Sequence, residues 1–401
     1  MKSWVEISER RLAANYRLLR DAAGGETEVL AVVKADAYGH GADVCAPVLV
    51  RAGAEWLGVA DAEEGVAVRA ALMAASAKQS RVLVMCGLLG EEVEAIVRGG
   101  LTPVVWDQQQ MEWLAAAVLQ YGGDTAPLPV HLEIDTGMAR QGIAPGEGLR
   151  TLLHWLKRQP RLRLEGVMTH FAAPEVAGLA LTTVQRERFE EAMAVVEEAG
   201  LRPEWVHAGN SSVVDTCGAE ENLDWLQAVA KRVGARAMVR AGIALYGYCL
   251  PIEQACSGGN IILAKVRPGL QPVMTWKTRV IGLREVKAGD TVGYNAIFTA
   301  ERAMRLALLS VGYADGLRRE LSGSNTRTGG WVMVRGQRAA IVGRVSMNLT
   351  VIDVTEIPGV GVGDEVVLLG DGVTADDHAR LAGTIAYEIV CGVRANSHLV
   401  G

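Results

Sequence analysis

The residue best placed to do chemistry is Lys34, which ends the apolar run Val29-Leu-Ala-Val-Val and opens Ala35-Asp-Ala-Tyr-Gly-His-Gly41. A continuous apolar, β-branched run closed by Gly39 and Gly41 and followed by a helix-like pattern predicts a buried parallel strand. Catalytic groups belong at such strand ends. Desolvation there favours the neutral amine over the ammonium. A neutral amine is a nucleophile toward carbonyls, the aldehyde of pyridoxal phosphate among them. A lone lysine in such a place can also simply extend its head into water, so the residues around it must decide.

Strand-like and helix-like stretches alternate from residue 28 to about 247, the pattern of parallel βα units. Eight strands are expected, over 28–34, 56–60, 81–86, 102–106, 129–135, 163–170, 205–210 and 238–246, with helical patterns such as 61–71 and 184–200 between them. Eight units favour a closed barrel over an open doubly wound sheet, and no G-x-G-x-x-G follows an early strand to support the latter. A barrel gathers its chemistry at the C-terminal ends of the strands, where Lys34, Arg140, His170, Ser211 and Gly242 or their loops fall. After Gly247 a connector is expected over 251–272, containing Ser257-Gly-Gly259 and Pro268-Gly269. Short β-rich runs bounded by Gly and Asp then fill 273–370, including a hairpin over 331–340 that turns at Gly336 and an alternating segment over 339–354. The expected fold class is α/β, an N-terminal (β/α)8 TIM-type barrel over 8–250 followed by a mostly-β domain over 251–401, with 384–399 as a terminal appendage.

At 401 residues the chain is long enough for two or three domains with their own cores. The net charge of −6 is spread without a Lys/Arg block, which argues against nucleic acid and anionic membrane surfaces as partners. Met1-Lys-Ser-Trp-Val-Glu has no apolar signal region and no run approaches the roughly 18 apolar residues of a membrane span, so a cytoplasmic or already processed chain is expected, with cytoplasmic the reading taken. Cysteines 45, 86, 217, 249, 256 and 391 show no C-x-x-C pairing and are read as reduced thiols. The seven histidines are scattered, and no metal site is expected.

AVVKADAYGHG resembles the cofactor-binding signature of the alanine racemase family, fold-type III pyridoxal phosphate enzymes. The resemblance continues in order through Glu133-Ile-Asp-Thr-Gly-Met-Ala-Arg140, Met168-Thr-His-Phe171, His207-Ala-Gly-Asn-Ser211, Val239-Arg-Ala-Gly-Ile-Ala-Leu-Tyr-Gly247, Val292-Gly-Tyr-Asn295, Val311-Gly-Tyr-Ala-Asp-Gly316, Gly343-Arg-Val-Ser-Met-Asn348 and Thr384-Ile-Ala-Tyr387. It implies a homodimer that interconverts L- and D-alanine for cell-wall precursors, with an N-terminal strand near Trp4–Ile7 lent to the β domain. Removing a proton from one face of Cα and delivering one to the other requires two bases. The resemblance assigns these to Lys34 and Tyr294. A phenol titrating near 10 needs cationic hydrogen-bond donors to serve as a base, and the family offers His170, oriented by Arg240. It also aims Arg240 at the cofactor's ring nitrogen, where an arginine, unable to give up its proton, leaves that nitrogen unprotonated. By the same resemblance Tyr38, Ser211, Gly242, Ile243 and Tyr387 hold the phosphate, and Arg140 with the Met347 N–H binds the substrate carboxylate. His207 and Tyr313 support the site, while Tyr313, Arg319, Arg344 and Glu175 line a narrow access corridor.

Two positions depart from the family pattern. Glu133 stands where many alanine racemases carry a lysine that becomes carbamylated, so its carboxylate is expected to hold Arg140 directly. Ser346-Met-Asn348 replaces the commoner Cys-Met-Asp, and Arg394-Ala-Asn-Ser397 replaces Arg-Val-Pro-Arg, which bears on substrate range and dimer-edge contacts. Alternative readings are a broader or serine-directed racemase on the same scaffold and a non-catalytic pyridoxal phosphate protein, which would lack the β domain and Tyr294. A decarboxylase of the same fold type would be expected to carry a reactive cysteine motif where this chain has Gly293-Tyr-Asn295.

Overall fold

Strand β1 (Ser3–Ile7) opens the chain, and eight strands after it join edge to edge in one closed parallel barrel. They are β2 (Thr27–Val32), β3 (Trp56–Val59), β4 (Arg81–Val84), β5 (Thr102–Val105), β6 (Leu128–Glu133), β7 (Leu162–Met168), β8 (Trp205–His207) and β9 (Arg236–Ala241). In this computed structural model the described residues are 2–77, 80–122, 126–217, 222–254, 263–395 and 398–401. The barrel closes where β9 pairs with β2, Val239 opposite Val29 and Arg240 opposite Leu30. Every residue of β3 and of β5 is buried, as expected when a strand faces packed side chains inside and helices outside. The helices turn one apolar stripe inward; Glu9–Ala23 buries Leu12, Tyr16, Leu19 and Ala23 at helical spacing. Asp61 and Asp107 cap the helices that follow β3 and β5 by accepting N–H bonds from Glu64 and Gln110.

All eight barrel strands expected from the sequence are present, and the α/β reading stands. The eighth is shorter than expected. It ends at Ala241, and Ile243–Tyr246 is a 3-10 turn instead of strand.

The chain divides into two compact units, one of residues 12–37 and 42–270, the other of residues 1–11, 38–41 and 271–401. The second is organised on the long strand β10 (Met274–Val286), to which β1 pairs antiparallel, Ser3 opposite Thr278. After β11 (Met304–Leu309) come β12 (Trp331–Val334), β13 (Gln337–Ala340), β14 (Thr350–Asp353), β15 (Glu365–Leu369) and β16 (His398–Val400). Val286, Val292, Ala300, Met304, Leu306 and Val342 form an apolar cluster within it. The expected hairpin is β12–β13, turned by Arg335 and Gly336 at φ 50° and 76°, a two-residue turn with both central residues left-handed.

The C-terminal segment is not an appendage. Ala386–Cys391 is a helix, and β16 pairs parallel with β1, Val5 opposite His398 and Ile7 opposite Val400. Cys45, Cys86, Cys249 and Cys391 form no disulfide among the described residues; the side chains of Cys217 and Cys256, the connector's Ser257-Gly-Gly259, and Asn396 and Ser397 lie outside the described residues. Among the described residues no helix is long and apolar enough to cross a membrane.

Candidate active site

Lys34 stands just past the end of β2, half-buried, at the start of a backbone turn of the wrong hand. Ala35, Asp36, Ala37 and Tyr38 all have φ between 52° and 56°, which makes 34–39 a single left-handed helical turn. That conformation costs a residue with a Cβ roughly 1–2 kcal/mol, so outside anchors must hold it. Glu64 supplies one, because its two carboxylate oxygens accept the N–H groups of Ala35 at 2.7 Å and Ala60 at 2.8 Å. Asp36 supplies another by accepting Ala42 N–H at 2.7 Å, and Ala37 N–H donates back to Val33 O at 2.8 Å. The next residues, 38–41, belong to the β-rich unit. There the Tyr38 and Tyr387 rings lie 6.1 Å apart, and a Cβ on Gly39 would come within 2.6 Å of Val390 O, so only glycine fits.

At the C-terminal end of the barrel, Arg240 of β9 is almost fully buried and organises its neighbours. Its Nη2 donates to Thr169 O at 2.8 Å and to His170 Nδ1 at 3.1 Å, while Nη1 donates to His207 Nδ1 at 3.2 Å. These bonds use three of the five guanidinium N–H groups, and among the described residues Nε–H and one Nη1–H have no partner. Because arginine only donates, both imidazoles accept through Nδ1 and, when neutral, carry the proton on Nε2. Burial, with Arg240, Arg140 and Lys34 nearby, pushes His170 down to about 3. His170 is therefore neutral near pH 7. It offers a neutral N–H, where the sequence reading expected a cationic donor. Burial also lowers Arg240 to about 10, against the opposing pull of Glu133, which leaves it charged.

Beside Arg240, Ser211 is buried and its Oγ accepts the N–H groups of Gly242 at 3.0 Å and Ala244 at 3.2 Å. Asn210 caps the short helix Ser211–Asp215 by accepting from Ser212 N–H. With both lone pairs used, the Ser211 hydroxyl is left to donate. Among the described residues nothing accepts the N–H of Ile243, a fully buried residue that opens the 3-10 turn. A serine O–H and an orphan N–H at a turn opening are donors suited to an anion.

Glu133 ends β6 and is buried, but it does not hold Arg140 by a hydrogen bond. Its carboxylate accepts from Gln141 Nε2, which also donates to Met85 O at 2.9 Å, while Arg140 is exposed. Burial raises the Glu133 pKa, opposed by the Gln141 bond and the charges of Arg240 and Arg140. Gln141 was not legible as a site residue, since a polar residue eight positions beyond Glu133 follows no period that would place it on the same group. Glu64 was missed for a similar reason, a helix-borne acid whose sequence position suggests only favourable placement near a helix start. Glu175 lies on the loop after β7, half-buried.

In the β-rich unit, Tyr294, Tyr313 and Met347 are exposed at 69%, 43% and 56%. Tyr294 follows Gly293 at φ 75° and precedes Asn295 and Ala296 at φ 60° and 48°, so the ring projects from a strained turn. Tyr313 N–H donates to Ser346 O at 3.0 Å and Ala314 N–H to Met347 O at 2.9 Å, which ties the Tyr313 turn to the Met347 loop. A Cβ on Gly312 would sit 2.1 Å from Ser346 O, so this join also requires glycine. Among the described residues nothing accepts the Met347 N–H. Arg319 and Arg344 line a cleft of about 540 Å³ in the same unit.

Two family models match the chain, the alanine racemase N-terminal domain over residues 7–250 and the alanine racemase C-terminal domain over residues 273–400. An alanine racemase of Syntrophobacter fumaroxidans is 37% identical over 98% of this chain and 96% of its own length. Among solved structures, the alanine racemase of Streptomyces coelicolor superposes with a TM-score of 0.84 at 33% identity, covering 100% of this chain and 97% of that one. The alanine racemase of Bartonella henselae, solved with covalently bound pyridoxal phosphate, superposes with a TM-score of 0.79 at 26% identity over the whole of both chains. With both halves matched and the relatives aligned nearly end to end, this chain belongs to the alanine racemase family.

Proposed function

We propose that the chain interconverts L- and D-alanine with pyridoxal 5′-phosphate held at the C-terminal end of the barrel, Lys34 and Tyr294 acting as bases on opposite faces of the substrate Cα. The carrying observation is the set of donors left unpaired there: Arg240 Nε–H, the Ser211 hydroxyl and the Ile243 N–H. They fit the group, since a pyridine nitrogen and a phosphate are acceptors, and Lys34 stands at the end of β2 in the same unit. Bound there, the cofactor supplies an electron-withdrawing ring that acidifies the substrate Cα–H.

Lys34 would hold the cofactor through its amine and would take or give the proton at one face of the substrate Cα. Arg240 would hold the ring nitrogen with a free N–H and, unable to give up its own proton, would leave that nitrogen unprotonated. Ser211, the Ile243 and Gly242 loop, Tyr38 and Tyr387 hold the phosphate. Arg140 and the Met347 N–H take the substrate carboxylate.

The proton on the second face is handled by Tyr294. Its exposure, with that of Tyr313 and Met347, supports a homodimer in which these residues reach the partner's barrel. The enzyme is read as cytoplasmic, with neither nucleic acid nor membrane as a partner.

The test is to load the purified protein with pyridoxal phosphate, supply L-alanine, and follow D-alanine by chiral chromatography, with L-serine in parallel. Formation of D-alanine, with serine turned over more slowly, is expected. A loaded protein that forms no D-alanine contradicts the reading, and faster turnover of serine redirects it to the broader racemase.

A further inference from the structure

The interior of a barrel of this kind is ordinarily filled with branched apolar side chains, yet a line of polar groups runs through this one. Arg240 Nη1 lies 3.2 Å from His207 Nδ1, His207 Nε2 lies 2.8 Å from His131 Nδ1, and His131 Nε2 lies 3.4 Å from Glu165 Oε2. Glu165 in turn is paired with Arg81 and Arg163. Arg240 and His207 sit at the C-terminal ends of β9 and β8, His131 and Glu165 at mid-strand in β6 and β7, and Arg81 opens β4. The line therefore runs from the candidate site toward the opposite end of the barrel. Both imidazoles and the Glu165 carboxylate are fully buried.

We propose that this line is a one-way hydrogen-bond chain that locks His207 and His131 as Nε2–H tautomers, making His131 and Glu165 positioning residues for Arg240. The proposal rests on the reading that Arg240 faces the cofactor ring.

The two ends fix the direction independently. Arginine has no acceptor, so His207 Nδ1 must accept, its proton lies on Nε2, and His131 Nδ1 must accept in turn. From the other end, a bare Nε2 lone pair facing the Glu165 carboxylate would be repelled, so His131 Nε2 carries the proton. Both arguments give the same two tautomers. At 3.4 Å the last link is within ion-pairing range but falls short of hydrogen-bond alignment, and Glu165 is the partner His131 Nε2 has in a site where an unpaired donor is costly. A cationic His207 would present an N–H to an N–H of Arg240. Burial holds both imidazoles below their ordinary range and thus neutral, in His131 against the opposing pull of Glu165.

Room for the line is built into the sequence. A Cβ at Gly166 would lie 2.5 Å from His131 Nδ1, so glycine there is what lets the imidazole stand in the interior. The Trp56 ring, 5.3 Å from that of His131, packs beside it. Turning the His207 ring would break two hydrogen bonds, and turning His131 would break one and lose the contact with Glu165, so the line holds the Arg240 plane.

The experiment is nitrogen-15 NMR of ring-labelled histidines at neutral pH, on the protein before and after loading with pyridoxal phosphate, with signals assigned through His131→Gln and His207→Gln. Wild type is expected to show His131 and His207 as neutral Nε2–H tautomers in both states. A neutral Nδ1–H form or a cationic ring at either position overturns the proposal. Failure to bind pyridoxal phosphate or to racemise alanine would instead overturn the functional reading, because the unloaded spectrum is read without either. Glu165→Gln, and Gly166→Ala, which displaces the His131 ring, are then expected to shift the absorbance maximum of bound pyridoxal phosphate and to lower kcat about tenfold, the scale seen for outer-shell partners of functional groups. KM for alanine should change less than twofold. An unchanged absorbance maximum and kcat in a variant that folds overturns the positioning role, and the wild-type tautomers remain decisive should neither variant fold.

Discussion

Arg240 Nη2 donates to His170 Nδ1 across 3.1 Å, and that bond leaves the proton of neutral His170 on Nε2. The acceptor at position 170 is what matters to Arg240; the donor on the far side of the ring is what remains for chemistry. Replacing His170 by Gln keeps an acceptor for Arg240, while Leu leaves a buried guanidinium N–H unpaired at a cost of about 1–3 kcal/mol. His170→Gln is expected to bind pyridoxal phosphate with affinity near wild type, and His170→Leu to lose about tenfold or more. Equal binding by the two variants in a fluorescence titration would show that the bond does not hold Arg240.

Glu133 is held by Gln141, and its charge is felt by Arg240 and Arg140 without a direct bond to Arg140. Glu133→Gln can still accept from Gln141, so thermal stability should fall by no more than about 1 kcal/mol. Loss of the negative charge should weaken alanine binding, read as a higher KM at similar kcat, and neither variant nor wild type should respond to added bicarbonate. Unchanged KM across neutral pH would make Glu133 a purely structural group.

The reach of the sequence was set by how local each feature is. Lys34 and the barrel strands were legible because apolar runs ending in glycine are local signals, and the hairpin at Gly336 because its turn requires a glycine. The left-handed turn at Ala35–Tyr38 was not, because alanine and tyrosine do not favour φ near 55°; the anchors at Glu64 and Ala42 impose it from outside. Strand β16 was missed because its pairing with β1 joins the two ends of the chain, beyond any periodicity. The roles of Arg240 and His170 came from ordered resemblance alone, and their neutral-acceptor geometry needed coordinates.

Tyr294→Phe should slow proton removal from L-alanine far more than removal from D-alanine, while leaving pyridoxal phosphate binding intact. Direction-resolved deuterium exchange measures this, and equal small losses would mean that Tyr294 only packs. If the site is shared between subunits, mixing inactive Lys34→Ala and Tyr294→Phe chains should restore part of the activity. No recovery in verified heterodimers would place both bases on one chain.

Stability should fall in acid in two stages of the same sign. His170 titrates at about 3 in the folded chain, so below pH 6.5 the unfolded chain takes up a proton that the folded one refuses. Glu165 is held at about 2, burial being outweighed by the nearby His131 ring and the Arg81 ion pair, so its contribution is complete above pH 4.5 and is lost as pH falls toward 2. Each group adds a slope of at most about 1.4 kcal/mol per pH unit. Urea midpoints should decline from pH 6.5 to 4 and more steeply below, and His170→Gln should reduce the first stage without removing it, because buried His131, His207 and His378 also refuse protons in that window. A midpoint constant from pH 7 to 4 would contradict the buried neutral His170.

The central claim is that Lys34 carries the cofactor. Borohydride reduction of the loaded protein, followed by peptide mass mapping, tests it most directly. The account predicts that the visible absorbance band disappears, that the reduced pyridoxyl group is found on Lys34, and that Lys34→Ala shows neither the adduct nor racemisation in either direction. A reduced adduct on another lysine, or racemisation retained by Lys34→Ala, would contradict it.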